Sequence, residues 1–180
     1  MKYKIQEKIE IPAGIKCEFK NGSLKCTKNS IEITRKIDAP GIIVKIQDNF
    51  VILECNKGNK NHLKIIKSLV AHVENIISGL EKPFTYVLEA CNVHFPMTFK
   101  VENNFLLINN FLGEKTPRTA KIMTNASIEI KGQKIFVSSS NKEFAGQTAA
   151  NFEKATKIKN RDRRIFQDGL YIVQKPGDEK

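Results

Sequence analysis

The chain has 180 residues, with 30 Lys and Arg against 19 Asp and Glu, a formal net charge of +11, four cysteines and no tryptophan. This length suits one ordinary domain or two small ones, each with a buried core. The charge excess favours a polyanionic partner, and the longest apolar runs fall far short of the about 20 residues that a membrane-spanning helix needs.

The N-terminal stretch carries charged residues at Glu7, Lys8 and Glu10, where a signal peptide would have its apolar segment. We therefore expect a protein that stays inside the cell. The charge excess alone leaves nucleic acid and an anionic membrane surface open as partners, and our expectation is a nucleic acid and no membrane.

The first predicted element is a β-hairpin. Apolar and polar residues alternate over residues 15–19, Asn21-Gly22 is typical of a two-residue turn, and Leu24 and Cys26 return on the same face. This register places Cys17 opposite Cys26. Because no Cys-x-x-Cys pair is present and the cytosol is reducing, we expect buried thiols rather than a zinc site or a disulfide.

A second hairpin and a helix follow. Val44 and Ile46 lead through Asp48-Asn49 into the strand residues 51–53. Apolar residues at helical spacing over 65–77 then predict an amphipathic helix that ends at Gly79, a favoured left-handed cap residue.

The same order of elements recurs at an offset of about 82 to 84 positions. Residues 84–88 read as a strand, residues 97–108 as a hairpin turning at Asn103-Asn104, and residues 128–137 as a hairpin turning at Gly132-Gln133.

A second helix is predicted to follow these hairpins, begun by Ser140 with Glu143 as a capping box. It carries a stripe of mostly small residues, Ala145, Ala149, Phe152 and Ala155, and is weakened by Gly146 by roughly 1 kcal/mol.

The repeat predicts two tandem α+β domains, residues 1–82 and 83–180. Each is expected to be an antiparallel-rich β-sheet covered by one α-helix.

The charge excess of the second half lies in one segment. Residues 84–180 hold fifteen Lys and Arg against ten Asp and Glu, whereas residues 154–164, the basic segment, hold six cations against the single anion Asp162. The net charge is +5 both for residues 84–180 and for the basic segment alone, and three of the chain's five arginines lie in the basic segment. Two of its lysines, Lys154 and Lys157, complement the negative end of the preceding helix. The remaining cations point to contact with phosphates, whose geometry the guanidinium fork matches.

Three further cations, Lys115, Arg118 and Lys121, surround Pro117 in a predicted connection between strands. They are placed to touch an RNA backbone, although an ordinary solvated loop explains them equally well.

Catalytic and metal chemistry are poorly supported. The three histidines are scattered, Cys91 and His94 lack a second ligand pair, and Gly113-Glu114-Lys115-Thr116 departs from a phosphate-binding loop. We expect no catalytic residue, no metal site and no cofactor.

Three separated motifs carry a family resemblance: residues 110–115 (NFLGEK), 146–151 (GQTAAN) and 166–171 (FQDGLY). In this order they closely resemble the universal large-subunit ribosomal protein six family in its archaeal and eukaryotic form. His94-Phe95-Pro96-Met97 resembles the archaeal members more closely.

The resemblance implies a non-catalytic structural role for two repeated α+β domains. It implies binding to large-subunit ribosomal RNA near the sarcin-ricin loop and the stalk base, beside neighbouring ribosomal proteins and where translational GTPases dock, in the cytoplasm. The second domain would carry most RNA contact, and the matching positions are residues 160–164 and 167–171.

The predicted RNA-binding set joins the charge pattern with the resemblance. Its members are Lys115, Arg118, Lys121, Lys154, Lys157, Lys159, Asn160, Arg161, Arg163, Arg164, Gln167, Tyr171 and Lys175. The first domain would add dispersed lysines such as Lys2, Lys4 and Lys8.

Two alternatives remain open at this point. One is an intracellular adaptor that binds acidic proteins through the same basic segment. The other, more distant, is a phosphodiester-cleaving enzyme that uses Asp162 with nearby arginines.

Overall fold

The computed structural model describes residues 3–47 and 49–178, so Lys2 and Asp48 of the predicted contacts and turns lie outside the described residues. The chain divides into two compact units, Met1–Lys82 and Pro83–Lys180. No helix among the described residues is long and apolar enough to cross a membrane.

The described residues of the first unit form six strands and one helix. They are β1 (Tyr3–Glu10), β2 (Lys16–Lys20), β3 (Ser23–Lys28), β4 (Ile31–Lys36), β5 (Ile43–Gln47), β6 (Phe50–Gly58) and α1 (Lys60–Glu81). The strands form two antiparallel sheets, one ordered β1-β6-β5 and the other β2-β3-β4.

The second unit repeats this order and adds one strand. Its elements are β7 (Phe84–Cys91), β8 (Thr98–Glu102), β9 (Phe105–Asn109), β10 (Arg118–Lys121), β11 (Ser127–Lys131), β12 (Lys134–Ser139), α2 (Lys142–Ala155) and β13 (Gly169–Gln174). One sheet is ordered β10-β9-β8 and the other β11-β12-β7-β13. The added strand β13 pairs antiparallel with β7.

The predicted hairpins are confirmed in register. Lys20 pairs with Ser23 around Asn21-Gly22, and Glu102 pairs with Phe105 around Asn103-Asn104. All four turn residues have positive φ, between 47° and 69°, the conformation that Asn and Gly tolerate best.

Cys17 lies directly opposite Cys26, as predicted, and both are free thiols. A hydrogen bond between the two thiols lowers the pKa of Cys17. The same bond, together with burial, raises the pKa of Cys26.

Both predicted helix boundaries are wrong by a short distance. Gly79 lies inside α1, which continues to Glu81 because Leu80 is buried and Pro83 stops the helix only after Lys82. The N-cap of α2 is Asn141 rather than Ser140: its side-chain oxygen accepts a hydrogen bond from the Glu143 N–H at 2.9 Å.

The sheets also differ in detail from the prediction. The described strands of each unit form two sheets instead of one, because the strand that follows the first hairpin, β4 or β10, pairs with that hairpin and not with the second one. In the second unit that strand is β10, so Arg118 and Lys121 begin and end a strand. The prediction that they lie in a connection is therefore wrong.

The core of the second unit explains the small-residue stripe of α2. Ala145, Ala149 and Phe152 are fully buried, and the small side chains let the helix lie close to the sheet. A Cβ on Gly146 would lie 3.0 Å from the Tyr86 hydroxyl oxygen. The glycine that weakens the helix thus also permits close packing on β7.

Replacing Phe152 by Ala should lower the free energy of unfolding by about 3–5 kcal/mol, because the ring is completely buried and its removal leaves a cavity. Chemical denaturation measures the change. Phe105→Ala, at a side chain that is 41% exposed, is the matched control and should cost less than about 1 kcal/mol. Equal losses at the two positions would contradict the packing described for α2.

Candidate nucleic-acid interface

The basic segment lies mainly in residues 156–168, which connect α2 to β13 and are named here the α2–β13 loop. Among the described residues this loop has no counterpart in the first unit, where only Lys82 separates the end of α1 from Pro83. Five of the six cations of the basic segment therefore lie in the part of the second unit that departs from the repeat.

A buried threonine joins the two ends of the α2–β13 loop. The Thr156 hydroxyl accepts a hydrogen bond from the Leu170 N–H at 2.9 Å and lies 3.2 Å from the Glu153 carbonyl oxygen, to which it donates. Both Thr156 and Leu170 are almost completely buried. The end of α2 is thereby fixed to the start of β13.

Arg118 fixes the same end of α2 from β10. Its Nη1 donates to the Ala155 carbonyl oxygen at 2.9 Å and to that of Lys157 at 3.4 Å, which lie at and beyond the C-terminus of the helix. Its Nε donates to Glu114 at 2.7 Å, and the guanidinium lies 4.1 Å from the centre of the Phe111 ring.

Arg118 thus makes four hydrogen bonds within the unit, whereas its predicted contact with an RNA phosphate stays a prediction. The hydrogen bond from Arg118 lowers the pKa of Glu114, and the charges of Arg118 and Arg161 lower it further.

A buried carboxylate fixes the second end of the α2–β13 loop. Asp168, 1% exposed, accepts hydrogen bonds from the N–H groups of Val93 at 2.9 Å and His94 at 3.0 Å. Its second oxygen lies 2.6 Å from Nδ1 of His94. Burial alone raises the pKa of Asp168, but the hydrogen bonds from His94 and Val93 outweigh burial, so that the pKa is lowered from its ordinary value of 3.8.

Phe166 connects this anchor to the basic segment. Its ring stacks on His94, with centroids 4.9 Å apart and planes inclined by 22°. The Arg161 guanidinium lies 4.7 Å from the centre of the same ring. A guanidinium attracted to the ring in this way is held in place without using its N–H donors in a hydrogen bond to an acid.

The remaining arginines differ in their internal partners. Arg164, with a side chain 90% exposed, pairs with Asp162 at 2.9 Å, and that hydrogen bond lowers the pKa of Asp162. Arg163 makes no hydrogen bond or ion pair within residues 3–47 and 49–178. Of the three, Arg163 is therefore the most available to a partner.

A groove of about 460 Å³ lies between the end of α2, the α2–β13 loop and β13. Four predicted site residues line it: Lys154, Lys157, Arg163 and Tyr171. Their three cations have no ion-pair partner in the described part of the chain, although Glu153 also lines the groove. The structure brings together residues that are up to 17 positions apart, counted from Lys154 to Tyr171.

The other predicted residues lie outside the groove. Lys159 and Asn160 are exposed in the α2–β13 loop, and Asn160 has a positive φ of 56°. Gln167 donates to the Arg164 carbonyl oxygen at 3.3 Å. The side chains that are exposed but do not line the groove also include Lys115, Lys121 and Lys175.

Sequence patterns alone did not identify the residues that hold the α2–β13 loop in place. Thr156, Asp168 and His94 are polar side chains whose partners lie 14 to 75 positions away. The one available signal was Asp168 next to Gly169 within the FQDGLY motif, which alone does not name a partner. No cluster of three or more potential metal ligands occurs among the described residues.

Comparisons with known proteins agree on one family. The sequence profile of ribosomal protein L6 matches residues 95–169. The large ribosomal subunit protein uL6 of Methanococcus vannielii is 44% identical over 174 residues, 96% of this chain and 95% of the relative. The uL6 proteins of Methanobrevibacter smithii and Archaeoglobus fulgidus are each 40% identical, over 95% and 93% of this chain and 96% and 88% of their own lengths.

Arg118→Lys should lower the free energy of unfolding by about 1.5–3 kcal/mol, because an ammonium group does not replace the fork that joins Glu114 to the end of α2. Thermal denaturation and amide hydrogen exchange of residues 156–168 measure the effect. Arg164→Lys is the matched control, since its exposed ion pair contributes little to stability. Similar melting temperatures for the two variants would show that Arg118 does not fix the loop.

Asp168→Asn should destabilise the protein near pH 7, and its difference from the parent protein should shrink on acidification. Because folding lowers the pKa of Asp168, its charge stabilises the fold above the ordinary value of 3.8. That contribution is lost as the pH falls through the lower pKa of the folded state. Denaturation at pH values between 7 and 2 tests this, and a difference that stays constant below pH 4 would refute it.

Proposed function

This chain belongs to the ribosomal protein L6 family, and from that premise we propose that it is a structural constituent of the large ribosomal subunit that binds ribosomal RNA through its second unit. Members of this family are structural, non-enzymatic components of the ribosome. The relatives that match nearly the whole chain are named as large-subunit proteins, which supports the same place of assembly here.

The observation that carries the proposal is a set of exposed cations on a loop whose two ends are fixed. Thr156 and Asp168 hold the ends of the α2–β13 loop, and Lys154, Lys157 and Arg163 line the groove beside it without internal ion pairs among the described residues. Ordering a flexible loop opposes binding, so a loop that is ordered by the fold binds at lower cost.

The partner that fits these cations best is an RNA backbone. Guanidinium groups bind phosphate oxygens in a two-pronged geometry, and each phosphate neutralised releases condensed counterions. The same cations could also bind an acidic protein, as the adaptor alternative requires. RNA is favoured because the relatives of this chain are named as ribosomal proteins.

Within the subunit, we place the RNA-binding surface near the sarcin-ricin loop and the stalk base. The support is the resemblance of residues 110–115, 146–151 and 166–171 to the family's motifs. There the protein would lie beside other ribosomal proteins and support the region where translational GTPases dock. We place it in cytoplasmic ribosomes.

In this proposal the first unit attaches more weakly. Its exposed lysines, such as Lys4 and Lys8, are dispersed along β1, and dispersed charges on a strand add screened attraction without a defined phosphate site. The first unit is therefore expected to bind neighbouring proteins or RNA at its periphery.

The combined substitution of Arg161, Arg163 and Arg164 by Ala should weaken binding to large-subunit RNA fragments. The slope of log affinity against log salt concentration should become shallower by about one unit for each RNA phosphate that the variant no longer neutralises. Filter binding or fluorescence anisotropy over a range of salt concentrations measures both effects.

The matched control is Lys57, Lys60 and Lys64 to Ala, which removes the same charge from exposed positions of the first unit. This variant should change the slope much less than the arginine variant. If a folded arginine variant kept the parental slope, or if both variants changed it equally, the assignment of RNA binding to the α2–β13 loop would be refuted.

A further inference from the structure

The groove beside the α2–β13 loop has a chemical composition that phosphate binding alone does not explain. Its cationic side is formed by Lys154, Lys157 and Arg163, but its other lining includes Phe166, Leu170 and Tyr171 together with Ala150 and Ile158. A site for phosphate alone is lined by donors and charges. Apolar and aromatic surface next to cations indicates a ligand with a flat apolar part and an anionic part.

We propose that this groove accepts one unstacked nucleotide of the bound RNA, with its base against the aromatic and aliphatic lining and its phosphate against the cations. The proposal rests on the proposed RNA-binding function and goes beyond it, because it distinguishes a nucleotide displaced from a helix from the backbone of a regular helix.

The size of the groove fits this ligand. Its volume of about 460 Å³ lies in the range of about 300–1,000 Å³ that encloses small organic ligands. A phosphate group alone would leave most of this space unfilled. Unstacked bases of bulges and loops are the parts of RNA that proteins take up in this way, by stacking them on aromatic side chains.

Tyr171 is held in position to receive a base. Its hydroxyl donates to the Gln167 carbonyl oxygen at 3.1 Å, and its ring lies beside Gly169, where an added Cβ would lie 3.3 Å from Cε2. The side chain is nevertheless 41% exposed. A fixed and partly exposed ring offers stacking surface without the cost of ordering it.

The charges around the groove match the two parts of a nucleotide. The three cations have no internal ion pair among the described residues and can take the phosphate. Glu153 would repel a phosphate but can accept a hydrogen bond from the exocyclic amino group of a base. A nucleotide whose base carries an exocyclic amino group, such as adenosine, is therefore a better ligand than a uridine.

The test uses the full chain and three RNA hairpins of the same stem: one with a single bulged adenosine, one with an abasic bulge and one fully paired. The parent protein should bind the bulged adenosine hairpin about tenfold more tightly than the other two, because base stacking on an aromatic side chain contributes on this scale. Equal affinity for all three hairpins would overturn the proposal.

Substitution of Tyr171 locates the effect. Tyr171→Ala should reduce the ratio of the affinities for the bulged and the paired hairpin towards one. If the alanine variant is poorly folded, Tyr171→Leu, which keeps an apolar side chain in β13, takes its place and should show the same loss of preference. Tyr3→Ala, at an exposed tyrosine of the first unit, is the matched control and should keep the preference. A preference that survives in a folded Tyr171→Leu variant would contradict the assignment.

These hairpin measurements distinguish failure of the nucleotide groove from failure of the proposed RNA-binding function. If arginine substitutions weaken binding to all three hairpins but no hairpin is preferred, RNA binding by the α2–β13 loop stands and the nucleotide groove is refuted. If arginine substitutions weaken binding to none of the hairpins, RNA binding by the α2–β13 loop is refuted, and the nucleotide groove that rests on it is refuted as well.

Discussion

The hydrogen bond between the Thr156 hydroxyl and the Leu170 N–H is the constraint on which the candidate interface depends. It joins the end of α2 to the start of β13, so the intervening loop has fixed ends. Arg118 holds the helix side and Asp168 holds the strand side of the same loop. Fixing a residue's backbone costs on the order of 1–2 kcal/mol in entropy, and here folding meets part of this cost before any partner binds. The cations of the basic segment are therefore presented by a formed surface.

The two units show how an interface is added to a repeated fold. Strands β1, β6 and β5 of the first unit pair in the same order as strands β7, β12 and β11 of the second unit. Among the described strands, β13 pairs only with the free edge of β7. The addition covers that edge and brings the basic segment with it. The repeated parts supply stable sheets and a buried helix, and the added strand and loop supply the chemistry, which agrees with the general rule that function lies in sites placed on common folds.

Local signals in the sequence predicted most of the architecture, because turns and amphipathic strands depend on neighbouring residues. Asn21-Gly22 and Asn103-Asn104 fixed the hairpin registers, and the apolar stripe of α2 identified the buried Phe152. Helix ends were less predictable: Gly79 stays helical because burial of Leu80 outweighs its preference for a cap. The inward role of Arg118 was not predictable, because its carbonyl partners lie 37 and 39 positions away and are brought near only by the packing of α2 on β10.

A density map of the large ribosomal subunit that contains this protein is the most direct test of the account. The expected result is that the guanidinium groups of Arg161 and Arg163 lie within hydrogen-bonding distance of RNA phosphate oxygens, with the hydrogen bond between Thr156 and Leu170 intact. It would be contradicted if RNA lay against another face of the second unit while those arginines faced solvent or an acidic protein neighbour. It would equally be contradicted if the α2–β13 loop were refolded in the bound state with its two ends separated.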